Sequence, residues 1–302
     1  MPTTPPFALL LDVDGPIASP ETRDVAPEII SLLLELTVLG IPVVFNTGRS
    51  DEFIKRQVMG PMITAGMPEN AKIHAICEKG ATWFTFDANG AGEVHVDHEL
   101  AVPGHYADEI RELVASDFDE HMFFDETKRA MVSVEQKIDA ENFEYRRAQE
   151  VFDSAAMEAM ARRGLGVERL EVSQPDANAD ISYRVDPTII STDIESVELG
   201  KDLGARRTLE LLEADGIIPA AWFTVGDSRT DYAMADWLAA HGHQVSHVDV
   251  RPGDGIPAGK PYPVLTATDL GLGQEVIHDH AGLAFLRHWR ARSAEHSPAF
   301  PG

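Results

Sequence analysis

Asp12 and Asp14 stand two residues apart at the end of the apolar run Phe7 to Leu11, and Gly15 follows at once. In a strand, residues i and i+2 point to the same side, so both carboxylates converge where a buried strand ends. Glycine lets the backbone turn sharply and a ligand come close. Such a pair suits a divalent cation and a phosphate. A calcium loop would need further oxygen ligands at fixed spacing and a terminal Glu, which Pro16 to Arg23 does not supply. A turn with solvated acids is the other plain reading. Three more places carry polar residues in a similar setting. Asn46-Thr47-Gly48-Arg49 closes the apolar run Ile41 to Phe45, and Gly226-Asp227-Ser228-Arg229-Thr230-Asp231 closes Trp222 to Val225. Lys201 is the only lysine between Lys137 and Lys260. Taken singly, these are a strand-to-helix turn, a helix cap and a surface lysine. Together they place acids, a hydroxyl and a cation at the ends of successive strands.

The elements that must position them follow from periodicity. Phe7 to Leu11 reads as a fully buried strand of a parallel sheet. Pro27 opens a helix through Leu39, which Gly40 stops. Ile41 to Phe45 is a second strand, Ser50 caps a helix to about Val58, and Lys72 to Cys77 is a third strand. This alternation implies a parallel sheet with right-handed crossovers. Ala81 to Phe86 and Glu93 to Val96 then read as a hairpin around Asn89-Gly90-Ala91-Gly92. Helices over Tyr106 to Phe118 and Ala140 to Arg163, with short strands near Ala130 to Glu135, Gly164 to Val172 and Asp180 to Val185, suggest a separate α+β unit. The parallel rhythm resumes with a helix from Leu203 to Ala214, a strand Trp222 to Val225, a helix Tyr232 to Ala240 and a strand Gln244 to Val250. A late helix spans His280 to Arg292, and the tail Ser297 to Gly302 reads as disordered. The expected fold is α/β, a Rossmann-like three-layer core over residues 1–98 and 187–302 with an α+β insertion over 99–186. In open α/β sheets ligands bind at the carboxyl ends of the strands, where the polar residues above converge.

Composition narrows the partners. The 302 residues carry 50 acidic against 25 basic side chains, a formal charge of −25. Nucleic acid demands a basic footprint, so this balance argues against it, whereas one local positive pocket still admits a small phosphorylated substrate. No apolar run approaches the roughly 20 residues of a membrane span, and the N-terminal stretch lacks the features of a signal peptide. Cys77 is the single cysteine; with Ile73 and Ile76 nearby it reads as a buried thiol. The chain reads as cytoplasmic. His95 and His98 with Asp97, His241 with His243, and His278 with His280 lack the partner spacing of a zinc site and receive no role.

At this point the sequence resembles the haloacid dehalogenase-like (HAD) hydrolase superfamily. Asp12-Val13-Asp14-Gly15, Asn46-Thr47-Gly48-Arg49, Lys201 and Gly226-Asp227-Ser228-Arg229-Thr230-Asp231 occur in that family's order. The gap between Asp14 and Thr47 holds little more than one helix, whereas Thr47 to Lys201 has room for a cap domain. With Glu78-Lys79-Gly80-Ala81-Thr82 opening a hairpin, the layout looks like Cof-like, type IIB phosphatases, mostly sugar-phosphate enzymes. The resemblance implies that Asp12 attacks phosphorus and Asp14 carries the proton. It implies magnesium on the Asp12 carboxylate, the Asp14 carbonyl and the Asp227 carboxylate. Thr47 and Lys201 would contact the phosphoryl group, with Gly15, Gly48 and Arg49 around it. Ser228 and Asp231 would support the site, Asp231 orienting Lys201 or a metal-bound water, and Arg49 would hold substrate or brace the loop. Arginines of the insertion (Arg129, Arg146, Arg147 and Arg184) offer contacts for a distal charge, although Arg146 and Arg147 also fit a solvated helix face. Three departures stand out: Pro16 replaces a common threonine, Asp202 follows Lys201 where glycine is frequent, and Lys79 replaces asparagine. A phosphomutase or phosphotransferase would use the same residues. A phospho-aspartate signalling or binding module is the rival of another class, although a receiver domain has no need of the insertion before Lys201.

Overall fold

The computed structural model describes residues 2–296, so the tail expected to be disordered lies outside the described residues. The chain forms two compact units, Met1–His95 with Gly200–Gly302, and Val96–Leu199.

The first unit is built on one sheet. Its strands are β1 (Ala8–Leu11), β2 (Val43–Asn46), β3 (Ile73–Cys77), β4 (Thr82–Asp87), β5 (Trp222–Gly226), β6 (Val245–Asp249) and β7 (Val264–Leu265). They lie in the order β7-β6-β5-β1-β2-β3-β4, parallel from β7 to β3 and antiparallel at β4. Alternate residues of β1 face opposite sides. Leu9 and Leu11 pack with Ile29, Leu33 and Leu36 of α1 (Pro27–Val38) and with Phe285 and Trp289 of the last helix (His278–His296). Ala8 and Leu10 pack with Ala205 and Leu212 of α2 (Lys201–Ala214) and with Met234 and Leu238 of α3 (Tyr232–Ala240). Strands buried on both faces read as unbroken apolar runs, and the result is the expected three-layer α/β/α arrangement. No helix among the described residues is long and apolar enough to cross a membrane.

Several boundaries differ from the sequence reading. The helix after Ser50 does not stop near Val58. It runs on through Gly60–Thr64, because a widened turn at Lys55–Met59, with the Gly60 amide bonded to the Lys55 carbonyl, admits Pro61 without a broken ladder. The hairpin is tighter than expected, β4 turning straight into Gly90–Ala91. The division expected at 98/99 and 186/187 falls at 95/96 and 199/200 instead. The second shift arises because Ser191–Ser196 is a strand paired antiparallel with both Tyr183–Pro187 and Val132–Gln136.

The second unit is α+β, as expected. A mostly antiparallel sheet carries Gly104–Leu113 and Asn142–Arg162, whose Tyr106, Ile110, Phe152 and Met160 form the core with Val134 and Ile194. Three of the arginines singled out above are engaged within the unit. Arg184 binds buried Glu195 at 2.6 Å and the Leu199 carbonyl, Arg146 donates to Gln149 and the Thr188 carbonyl, and Arg147 pairs loosely with Glu144.

His247 on β6 is fully buried, and its Nδ1 meets the Thr224 hydroxyl at 2.8 Å. Burial pushes its pKa down from 6.5 to about 4, against the pull of Asp231, Asp249 and Asp236. The folded state therefore refuses a proton that the unfolded chain accepts. Stability contributed above pH 6.5 is lost as pH falls toward 4, by about 3 kcal/mol in all. Buried His74 shifts in the same direction. Urea unfolding from pH 7 to 4 should show a flatter pH dependence for His247→Gln than for the parent chain. Equal slopes would remove His247 as the cause.

Candidate active site

The ends of three parallel strands and the first residue of α2 bring the polar residues together. Asp12 follows β1, and its amide donates to the Val225 carbonyl of β5 at 2.9 Å, tying the first motif to the last. Two glycines permit the close approach. Gly15 has φ +90, and a side chain there would come within 2.7 Å of the Asp227 carboxylate. A side chain at Gly226 would overlap Asp231.

Lys201 is the electrostatic centre. Its ammonium lies 2.7 Å from Asp12 Oδ1 and 2.6 Å from Asp231 Oδ1, and it donates to the Asn46 carbonyl at 2.9 Å. Burial disfavours the charge on Lys201, but the two carboxylates outweigh that and raise its pKa. The carboxylates differ. Asp231 also accepts from the Ser228 hydroxyl at 2.7 Å and from the amides of Ser228 and Asp227. Burial pushes its pKa up, but these donors and Lys201 hold it below the usual range. Asp12 lacks those extra donors, so burial wins over Lys201 and lifts it well above the carboxylate range, with Asp231 and Asp14 adding to the rise. Burial, with Asp231 next, likewise pushes Asp227 up to about 6.

Asp14 is turned to Arg49, whose Nε and second terminal nitrogen hold both its oxygens at 2.9–3.2 Å. Arg49 is thus seen bracing the first motif. Thr47 is fully buried at the end of β2, and its hydroxyl accepts the Arg49 amide at 3.1 Å. Glu78, Lys79 and Gly80 form a left-handed run, with φ of 49, 54 and 100. Their amides secure the loop: Lys79 donates to the Thr47 carbonyl and Glu78 to the Arg49 carbonyl, both at 3.0 Å. The Lys79 stem lies 3.7 Å from where a side chain on Gly48 would begin. Lys79 adopts the left-handed conformation that asparagine favours.

Carboxylate oxygens of Asp12, Asp227 and Asp231 lie within 4.8 Å of one another. Asp231 is committed to Lys201 and Ser228, which leaves Asp12 and Asp227 as donors. These are hard oxygen ligands of the kind magnesium takes together with water, so the residues present fit that ion. The Asp14 carboxylate stands outside the cluster, turned to Arg49.

Two further residues belong to the site that sequence reasoning did not assign. Asn46 returns the contact from Lys201, its amide donating to the Lys201 carbonyl at 2.9 Å. Its place before Thr47 was the available signal. His278 had been set aside with His280, yet its Nδ1 sits 3.6 Å from Asp227 Oδ2. No spacing rule links these two; only the packing of the last helix does. At the other two departures, the amides of Gly15, Ile17 and Ala18 make the loop's contacts around Pro16, whose carbonyl packs against Gly282 of the last helix. Asp202 is exposed.

No family model and no curated protein matches this sequence. Solved structures do match its fold. The C-terminal domain of trehalose-6-phosphate phosphatase from C. albicans aligns over 95% of this chain and 93% of its own, at 12% identity and a TM-score of 0.57. A haloacid dehalogenase-like hydrolase from Bacteroides thetaiotaomicron aligns over 95% and 100%, at 11% identity and a TM-score of 0.56. A structure showing a trigonal-bipyramidal intermediate in a phosphoryl-transfer superfamily aligns over 95% and 99%, at 14% identity and 0.52. The chain has the fold of these proteins.

Proposed function

We propose that this chain is a magnesium-dependent phosphoric monoester hydrolase of the haloacid dehalogenase-like superfamily, acting through an aspartyl-phosphate on Asp12. The observation that carries the reading is Asp12 itself: a buried carboxylate at the end of the central strand, ion-paired with Lys201 and adjacent to Asp227, in this fold.

Asp12 and Asp227 would hold the cation, together with the Asp14 carbonyl. When bound, magnesium would keep those carboxylates ionised and reduce the repulsion between Asp12 and a phosphate dianion. An Asp12 oxygen attacks phosphorus while the bond to the leaving oxygen breaks, and Asp14 supplies the proton that this oxygen takes. For that step Arg49 must release one Asp14 oxygen. Water then attacks the phosphorus of the aspartyl-phosphate and gives its proton to Asp14. Inorganic phosphate leaves and the Asp12 carboxylate is regenerated. Lys201 stabilises charge at the transferring group, Asp231 and Asn46 fix Lys201, and Thr47 and Gly48 face the phosphoryl oxygens.

A sugar phosphate is our candidate substrate, supported by the name of the C. albicans neighbour and by the Cof-like layout of the motifs. The acidic charge favours a small substrate over nucleic acid, and the single buried Cys77 is in keeping with the cytoplasm.

p-Nitrophenyl phosphate and a panel of sugar phosphates should release phosphate in the presence of magnesium, and EDTA should reduce the rate by about 100-fold or more. Absence of turnover across the panel, together with stable labelling by acetyl phosphate, would replace the hydrolase by a phospho-aspartate module.

A further inference from the structure

The last helix begins at the site. His278, its first residue, has φ 52, the left-handed region, and its amide donates to the Val250 carbonyl at 2.8 Å. That conformation is uncommon for a residue with a side chain, although histidine and asparagine adopt it more readily than most, and here it aims the imidazole at Asp227. The Nδ1 atom is buried, has no hydrogen-bond partner, and stands 3.6 Å from Asp227 Oδ2, just outside hydrogen-bond reach. A buried polar atom without a partner carries a desolvation cost, which a small movement of Asp227 would remove.

We propose that His278 is a positioning residue for the cation, its Nδ1–H donating to the Asp227 carboxylate and fixing that ligand's orientation. Carboxylate ligands to metals are commonly held by such outer partners. The inference rests on the proposed cation site and extends it to a residue outside the four motifs. The imidazole does not itself ligate the ion. It acts on whichever hard cation the carboxylates hold, and it restrains Asp227 before the ion arrives.

The left-handed backbone supplies clean variants. Glycine tolerates φ 52 without strain and removes the imidazole. Asparagine also tolerates it and keeps an N–H donor. Binding of Mg2+ and of Mn2+ to the full chain should be measured by calorimetry, without substrate, alongside thermal melts. His278→Gly should weaken both ions alike, by about 10- to 100-fold, without lowering the melting temperature. His278→Asn should restore most of the affinity. Equal affinities for His278→Gly and the parent chain would overturn the proposal. So would a loss confined to Mn2+, because imidazole ligation favours that ion over magnesium. The underlying site is tested separately with Asp227→Ala. If the parent chain binds neither ion saturably, or Asp227→Ala binds as well as the parent, the cation site and the role of His278 both fall.

Discussion

Asp12→Asn should lower phosphate release by roughly 10,000-fold or more while the chain stays folded. The amide matches the carboxylate in shape but cannot form the acyl phosphate. Retained folding follows from the charges around Lys201. In the parent chain one buried ammonium faces two buried carboxylates, and Asp12 is the one whose charge is disfavoured. The neutral amide leaves Lys201 paired with Asp231 one to one. The melting temperature of Asp12→Asn should therefore equal or exceed that of the parent, even as turnover disappears. This opposition separates a catalytic group from a structural one. Comparable rates for the two proteins would remove Asp12 as nucleophile, whatever the melting temperatures.

Lys201→Met should do the reverse to stability. It leaves Asp12 and Asp231 side by side, both buried, with no cation between them. Removing one member of a buried ion pair typically costs about 3–5 kcal/mol. Part of this is relieved when Asp12 takes up a proton. Lys201→Met should also lose turnover, since the phosphoryl group loses its buried cation. The double variant Lys201→Met with Asp231→Asn removes the uncompensated charge and should recover much of the stability but none of the activity. Urea unfolding of the four proteins in this cycle measures the coupling. If the single variant is as stable as the parent, the ion-pair geometry does not describe the folded state in solution.

Much of this arrangement was legible in the sequence because of where the chemistry sits. β1 and β2 are buried apolar runs, β5 is one broken only by Thr224, and each hands directly to a polar loop. Asp12, Thr47 and Asp227 could be found simply by reading to the end of each run. Ser191–Ser196 was missed for the opposite reason. It contains Asp193 and Glu195, and Glu195 is fully buried with Arg184 of the neighbouring strand bound to it. A charged residue inside a strand looks like a loop until its partner is known. The helix after Ser50 was expected to end near Val58 and runs on, because a widened turn leaves no mark in composition. Asn46 and His278 owe their roles to Lys201 and Asp227 across long stretches of chain, and local pattern does not carry that information.

The hydrogen bond from the Asp12 amide to the Val225 carbonyl also bears on how the chain is made. β1 precedes the other strands of its sheet in the chain but occupies the middle of that sheet. One of its edges is filled by β2 soon afterwards. The other waits until β5 has been translated, beyond the whole of the second unit. Closing so long a loop adds little to the equilibrium cost, because the entropy grows only with the logarithm of length, but non-local pairing slows folding. During that interval the nascent chain shows an open apolar strand edge, a template for mispairing. Asp12 is made before the other residues of the proposed site and is among the last of them to be held in place.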